Sequence, residues 1–172
     1  MNEQNIQQPR QLTILLIGDA CVDTYTFGKV ERISPEAPVP VFKYSYSESR
    51  SGMARNVQDN LEALNIEVDA RLSSNSTKTR IVDLRSRQHI LRIDDDIKSE
   101  PLNPEYITDL NYDAIVISDY NKGFISYELV EAIRRQYHGP VFVDTKKTLL
   151  KRFEGCYVKI NAYEHSLAKS FP

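Results

Sequence analysis

Four short apolar runs, each closing on a carboxylate or an amide, constrain the fold of this chain more than any other feature. Residues 12–17 lead through Gly18 to Asp19, and residues 114–117 lead through Ser118 to Asp119. Residues 141–143 lead to Asp144, and residues 157–160 lead to Asn161. Each run is too short for a helix, and its apolar residues are nearly continuous rather than alternating. That pattern marks strands covered on both faces, as in parallel sheets.

Helical patterns lie between the runs. Residues 54–64 place Val57, Leu61 and Leu64 on one face, and Asn103-Pro104 is a cap and first-turn pair for a short helix through Leu110. Ser126 caps a third helix that reaches about Tyr137, with Leu129, Val130 and Ile133 inward and Gly139-Pro140 as its stop. Strands alternating with helices predict an α/β fold around a mostly parallel sheet. A length of 172 residues suits one domain, spanning residues 1–172.

Two segments break the rhythm. Residues 25–46 contain Ile33-Ser-Pro-Glu-Ala-Pro-Val-Pro-Val41, whose prolines forbid a helix and suit edge strands and turns. Residues 77–94 alternate imperfectly and read as a strand pair. Together they predict a small sheet beside the main one.

Composition narrows the function classes. A net charge of -2 without a long basic stretch argues against nucleic acid as a partner. The two cysteines, Cys21 and Cys156, stand far apart in no metal-like spacing, which fits reduced thiols in a cytosol. No apolar run approaches a membrane span, and the first eleven residues lack the apolar core of a signal peptide. The expectation is a soluble, cytoplasmic protein with no membrane partner.

The chemistry is expected where the strands end. In an open parallel sheet the C-terminal strand ends share one edge, and ligands bind in the crevice outside it. Asp19, Asp119, Asp144 and Asn161 would converge there, although aspartate also starts turns and caps helices without any ligand. Gly52 precedes the first helix, where close backbone approach and a helix N-terminus suit oxyanions or hydroxyls. Neither a dinucleotide fingerprint nor a P-loop pattern is present. Arg80, Arg85, Arg87 and Arg92 gather in the strand pair; guanidinium forks match phosphate oxygens, and a solvated polar face is the plainer reading for most of them. Asn161 and Glu164, three residues apart after a buried strand, could order water around a magnesium ion, which needs few carboxylates.

The order Gly18-Asp19…Asp23, then Arg32-Ile-Ser-Pro-Glu-Ala-Pro-Val-Pro-Val41, then a Gly-x-Ala-x-Asn segment, resembles the ribokinase-like (PfkB) carbohydrate kinases. Within that family the likeness is to the D-glycero-β-D-manno-heptose-7-phosphate kinase domain of lipopolysaccharide heptose synthesis. Thr77-Lys-Thr-Arg80, Ser86-Arg-Gln88, Leu91-Arg-Ile-Asp94, Ser118-Asp-Tyr-Asn-Lys-Gly123 and Val143-Asp-Thr-Lys146 follow in the expected order. The resemblance implies a three-layer sandwich with a β lid that covers the sugar and commonly pairs two subunits. It implies that Asp19, Asp23, Gly52 and Asn56 hold sugar hydroxyls, with Asp119 beside them, and that Arg80 and Lys122 take the sugar's phosphate. On the ATP side it implies Asp144, Lys146, Asn161 and Glu164, with Glu164 as the magnesium contact.

Departures accompany the likeness. The paired glycine before the first helix is expected at Ser51-Gly52, Arg55 replaces a small residue, and Asp144-Thr-Lys146-Lys lacks the family's Pro and Gly. A strand–helix unit is expected to be missing between Leu64 and Thr77. The family's aspartate base and anion-hole glycines would fall beyond Pro172, so no catalytic residue is assigned and the domain is expected to be truncated. Two functions follow. One is a phosphotransferase half that works with a complementing chain; the other is a non-catalytic module that binds sugar phosphate or forms a dimer. Pairing is expected through the lid or the open sheet edge, because an exposed strand edge invites association.

Overall fold

The computed structural model describes residues 10–73 and 76–170. The expectation for the first eleven residues therefore lies almost wholly outside the described residues. In chain order the elements are β1 (Thr13–Gly18), β2 (Ala20–Ile33), β3 (Pro40–Met53), α1 (Ala54–Ala63), β4 (Glu67–Leu72), β5 (Ser76–Asp83) and β6 (His89–Asp95). They continue with β7 (Ala114–Asp119), α2 (Tyr127–Gln136), β8 (Val141–Thr145), β9 (Tyr157–Lys159) and α3 (Ala162–Leu167).

Five strands form one sheet in the order β4-β1-β7-β8-β9, and every neighbouring pair is parallel. The four apolar runs are four of these strands. Their odd-face residues, Leu15, Ile17, Ile115, Ile117, Val141 and Val143, pack on Leu129, Val130 and Ile133 of α2 and on Phe153. Burying each of these side chains is worth roughly 1.5–3 kcal/mol. The Ser126 hydroxyl accepts the Leu129 amide at 3.0 Å, so the expected cap starts α2. Arg152 ties the turn that carries Phe153 to the same helix through Glu131 at 2.7 Å and Glu128 at 3.0 Å.

The second face is covered unevenly. α1 lies over the β1–β4 side, and Gly18 is where it comes closest. A methyl group at Gly18 would meet the Ala54 Cβ at 2.3 Å and the Ser118 carbonyl at 2.9 Å, so only glycine permits the β1–α1–β7 junction. Over β8 and β9 the Phe142 and Tyr157 rings stack at 5.1 Å and stay exposed.

Three expectations need correction. β4 occupies residues where no strand was expected; its charged and small apolar residues alternate because it sits at the sheet edge. The Asn103 cap is present, accepting the Glu105 amide, but it starts only a single 3-10 turn, Pro104–Tyr106, and no helix runs to Leu110. Leu64 is 72% exposed rather than inward, since α1 ends at Ala63 and the chain turns away.

The lid is a four-stranded sheet in the order β3-β2-β5-β6. β2 pairs antiparallel with β3 and parallel with β5, and β5 pairs antiparallel with β6. It is larger than residues 25–46 and 77–94, because β2 begins immediately after Asp19 and β3 runs straight into α1. One face carries Tyr25, Phe27 and Tyr46 in a stacked row with ring separations of 6.4 and 4.9 Å. The other carries hydroxyl pairs, Thr24 with Ser49 at 3.1 Å and Thr26 with Ser47 at 3.0 Å. Among the described residues, no helix is long and apolar enough to cross a membrane.

Candidate functional site

Asp19 links the two sheets. It is 1% exposed, its amide donates to the Ser118 carbonyl at 3.0 Å, and its carbonyl accepts the Ala54 amide at 3.0 Å. One carboxylate oxygen, Oδ2, accepts the amides of Tyr120 at 2.7 Å and Lys122 at 3.3 Å. The other, Oδ1, is buried and accepts no hydrogen bond from the described residues. Burial pushes the Asp19 pKa up, and the Asp119 charge adds to this against the two amide bonds.

Asp119, at the end of β7, faces the same loop. Its Oδ1 accepts the Asn121 amide at 2.8 Å, and its Oδ2 accepts the Thr145 hydroxyl at 2.7 Å. Lys147 completes the arrangement, with its ammonium 3.0 and 2.9 Å from the two carboxylate oxygens and 3.2 Å from Asn121 Oδ1. Both side chains of this pair are almost fully buried, at 9% and 0% exposure. Asn121 holds a φ of 59°, a left-handed turn that asparagine tolerates. The loop at residues 120–122 is thus gripped from below by two aspartates on neighbouring strands.

Asp23, Gly52 and Arg80 meet on the aromatic face of the lid. Asp23 forms a half-buried ion pair with Arg80. A methyl group at Gly52 would meet Asp23 Oδ2 and Cys21 Sγ, each at 2.4 Å, so the missing side chain makes room for that carboxylate. Burial pushes the Cys21 thiol up, and the Asp23 charge adds to this against Lys78 and Arg80. Lys122 pairs with Asp96, which brings the end of the lid to the rim loop.

Backbone strain falls one residue beyond the expected glycine pair. Met53, not Ser51, carries a φ of 53° and ψ of -129° where β3 turns into α1. Asn56, in the first turn of α1, is exposed.

Of the remaining sequence-derived residues, Lys146 reaches this cluster, its amide donating to the Asp119 carbonyl at 3.1 Å, whereas Asp144, Asn161 and Glu164 bond elsewhere. Asp144 precedes the strand end and pairs across the ladder with Ser118, while Thr145 pairs with Asp119. Successive residues point to opposite faces of a strand, so Asp144 turns away from Asp119 and binds Lys159 at 2.8 Å. Lys146 lies with its ammonium 4.7 Å from the centre of the Tyr120 ring. Asn161 follows β9, three strands from β1. At about 4.8 Å per step that separation is roughly 14 Å along the same edge.

Asn161 and Glu164 form a reciprocal cap on α3, with Asn161 Oδ1 accepting the Glu164 amide and Glu164 Oε2 accepting the Asn161 amide, both at 2.8 Å. A carboxylate and an amide engaged in closing one helix end do not make a magnesium site on their own. Among the described residues, no group of three His, Cys, Asp or Glu side chains is placed to hold a metal. Of the arginines, Arg92 binds Asp94 at 2.8 Å, and Arg85 and Arg87 are exposed.

Sequence reasoning missed Lys147, Thr145 and Asn121. The only available signal was a second lysine after the strand, which spacing alone does not separate from Lys146.

No family model matches the chain. The bifunctional protein HldE of Pasteurella multocida is 32% identical over 180 residues, covering 85% of this chain and 38% of its own length. HldE of Haemophilus ducreyi is 34% identical over 179 residues, with 84% and 38% covered, and HldE of Nitratiruptor is 31% identical over 192 residues, with 92% and 42% covered. The chain therefore spans less than half the length of these relatives. Among solved structures, phosphofructokinase-2 of Escherichia coli with potassium superposes with a TM-score of 0.57 at 14% identity, covering 94% of this chain and 64% of that one. A sugar kinase from Clostridium perfringens gives 0.54 at 16% identity, with 96% and 62% covered. The parallel sheet with its lid and the HldE relationship together make this chain a member of the ribokinase-like carbohydrate kinase family.

Proposed function

We propose that the chain forms the sugar-binding side of a sugar kinase that moves the γ-phosphate of ATP to a hydroxyl of a sugar phosphate of the heptose 7-phosphate type. One observation carries this reading: Asp19 and Asp119 converge on the backbone of residues 120–122, and Asp19 keeps one buried oxygen without a donor. A buried acceptor without a donor costs about 1–3 kcal/mol, and a ligand hydroxyl that reached it would recover that cost. Asp23, Gly52 and Asn56 supply further contacts to hydroxyls, and Arg80 and Lys122 serve the ligand's phosphate. Asp144, Lys146, Asn161 and Glu164 mark the ATP side of the same edge, in a cytoplasmic protein that pairs through its lid.

A second reading is a sugar-phosphate-binding or dimerising module without phosphoryl transfer. It is favoured by the capping bonds that occupy Asn161 and Glu164.

Calorimetry and thermal shift with heptose 7-phosphate, and separately with ATP and magnesium, test both readings. The expected outcome is stabilisation by the sugar phosphate and at least a tenfold loss of affinity in Asp23→Asn. ATP turnover in the presence of a complementing chain selects the kinase, and sugar-phosphate binding without an ATP response selects the module. A chain indifferent to every sugar phosphate would sink both.

A further inference from the structure

Lys147 lies in the segment 144–147 that departs from the family pattern, so the resemblance gives it no role. In the fold it reaches under the rim loop. Its side chain is 9% exposed, and its ammonium spends its three donors on Asp119 Oδ1 at 3.0 Å, Asp119 Oδ2 at 2.9 Å and Asn121 Oδ1 at 3.2 Å. Its backbone amide donates to the Thr145 hydroxyl at 3.0 Å, and that hydroxyl donates to Asp119 Oδ2 at 2.7 Å. The centre of the Tyr127 ring, at the start of α2, is 5.8 Å from the ammonium.

These contacts saturate Asp119. With the Asn121 amide at 2.8 Å, its two oxygens accept four hydrogen bonds, about the full capacity of a carboxylate, and its side chain is 0% exposed. No oxygen is left for a ligand. Asp19 differs, because its Oδ1 accepts nothing from the described residues. The loop between the two aspartates connects them. The Tyr120 and Lys122 amides donate to Asp19 Oδ2 at 2.7 and 3.3 Å, and Asn121, between them, accepts from Lys147 through its side chain. The Lys122 carbonyl accepts the Ser99 amide at 3.0 Å, and the Lys122 ammonium pairs with Asp96. Whatever fixes Asn121 therefore also sets where the two amides meet Asp19.

We propose that Lys147 is a positioning residue of the sugar site: through Asp119 and Asn121 it holds residues 120–122 so that both amides occupy Asp19 Oδ2 and leave Oδ1 to a ligand hydroxyl. Asp119 is then a strut that makes no ligand contact of its own. The inference rests on the reading of Asp19 as the sugar's acceptor.

Lys147→Met alone strands the Asp119 charge, so the test combines it with Asp119→Asn, which removes both charges. The readout is the Asp19 carboxyl, titrated by carbon-13 NMR in the chain without ligand. Burial holds the Asp19 pKa up. The Lys122 and Tyr120 amides lower it, and each outweighs the Asp119 charge, which raises it, and the lesser Lys147 charge, which lowers it. Loss of the two charges alone would move the Asp19 pKa down, whereas loss of the amides moves it up. The expected result is the upward move, with the Tyr120 and Lys122 amides exchanging about tenfold faster, as loss of a hydrogen bond to a charged group implies. A downward move with unchanged exchange would overturn the proposal and leave Lys147 a counter-ion that only stabilises the fold.

Asn121→Gly is the milder variant, since it keeps the left-handed turn and the buried pair and removes one arm of the grip. Exchange of the same amides should quicken there by about threefold, the worth of one ordinary hydrogen bond. Unchanged exchange in this variant would also count against the proposal and overturn the part given to Asn121. Calorimetry with heptose 7-phosphate is a separate measurement, in which the double variant should bind about tenfold more weakly than wild type. A wild-type chain that binds no sugar phosphate would remove the reading of Asp19 as the sugar's acceptor, while the titration still decides whether Lys147 positions the loop.

Discussion

The two sheets of this molecule are held by different forces. In the parallel sheet, Leu15, Ile17, Ile115, Ile117, Val141 and Val143 are almost wholly buried, and strand positions follow from apolar packing against α2. In the lid, β6 is exposed along its whole length, and order comes from ladder hydrogen bonds, stacked rings and ion pairs. A side chain on the first sheet is fixed because its neighbours leave it no room. On the second, apart from buried residues such as Cys21 and Val82, it is fixed by the partners it bonds. The proposed sugar site lies on the seam, with Asp19 and Asp119 anchored in the rigid sheet and Asp23 and Arg80 carried by the softer one.

The sharpest way to break the contrast is to open the core. Phe153→Ala should cost roughly 3–5 kcal/mol, because the ring is fully buried under α2 and a cavity would remain. Urea denaturation followed by tyrosine fluorescence measures it. A loss below about 1 kcal/mol would mean that the core collapses as freely as the lid, against the usual behaviour of buried aromatics.

Next in size is the buried pair under the rim loop. Lys147→Met should cost roughly 3–5 kcal/mol, since it leaves Asp119 charged and uncompensated in a dry position. Adding Asp119→Asn should recover most of that loss, because the stranded charge is then gone. If the single variant were as stable as wild type, Lys147 would be a surface lysine in solution, and the grip on residues 120–122 would have to come from Asp19 alone.

The same contrast explains what the sequence revealed. The buried strands announced themselves because continuous apolar runs have few other uses, and Ser126 started its expected helix; α3, which Asn161 caps, was not expected. β4 stayed hidden because Glu67, Asp69 and Arg71 interrupt its apolar residues, as an edge strand allows. At the site, Asp19 and Asp119 were legible from strand ends. Which of Lys146 and Lys147 turns under the loop depends on the path after β8, which spacing does not encode. Asn-x-x-Glu reads equally as a cap and as a metal contact. The left-handed backbone at Met53 had no sequence signal either, since methionine is an improbable residue there and the expectation settled on its neighbours.

Acid should separate the two regions by sign. Asp83 in the lid is held below its ordinary carboxyl range, first by the Ser86 amide, then by the Ser86 hydroxyl and the Val30 amide. Its stabilising share is present above the unfolded value near 3.8 and is lost as pH falls through the lower folded value. Asp19 runs the other way. Its raised pKa gives a share that is complete below the unfolded value and is lost as pH rises through the folded one. Protection of the Val30 and Ser86 amides should therefore fall only as pH drops below the ordinary carboxyl value of 3.8, after Asp19 has already taken up its proton. In Asp83→Asn that acid step should disappear; its persistence would assign the acid sensitivity elsewhere.

The smallest expected effect is the most direct check on the lid. Leu91 and Ile93 on β6 are large and apolar, yet they are 55% and 51% exposed. If ladder bonds and pairwise contacts hold this sheet, Leu91→Ala should change stability by no more than about 0.5 kcal/mol, the usual range for a surface position away from special features. The measurement belongs at two protein concentrations. A loss that grows on dilution would show that a second chain covers Leu91, and a loss of core size at both would show that the lid has a hydrophobic foundation after all. A value near zero at both leaves β6 as a strand positioned by its ladder with β5 alone, and the aromatic row on the opposite face of the lid as the part that side-chain packing organises.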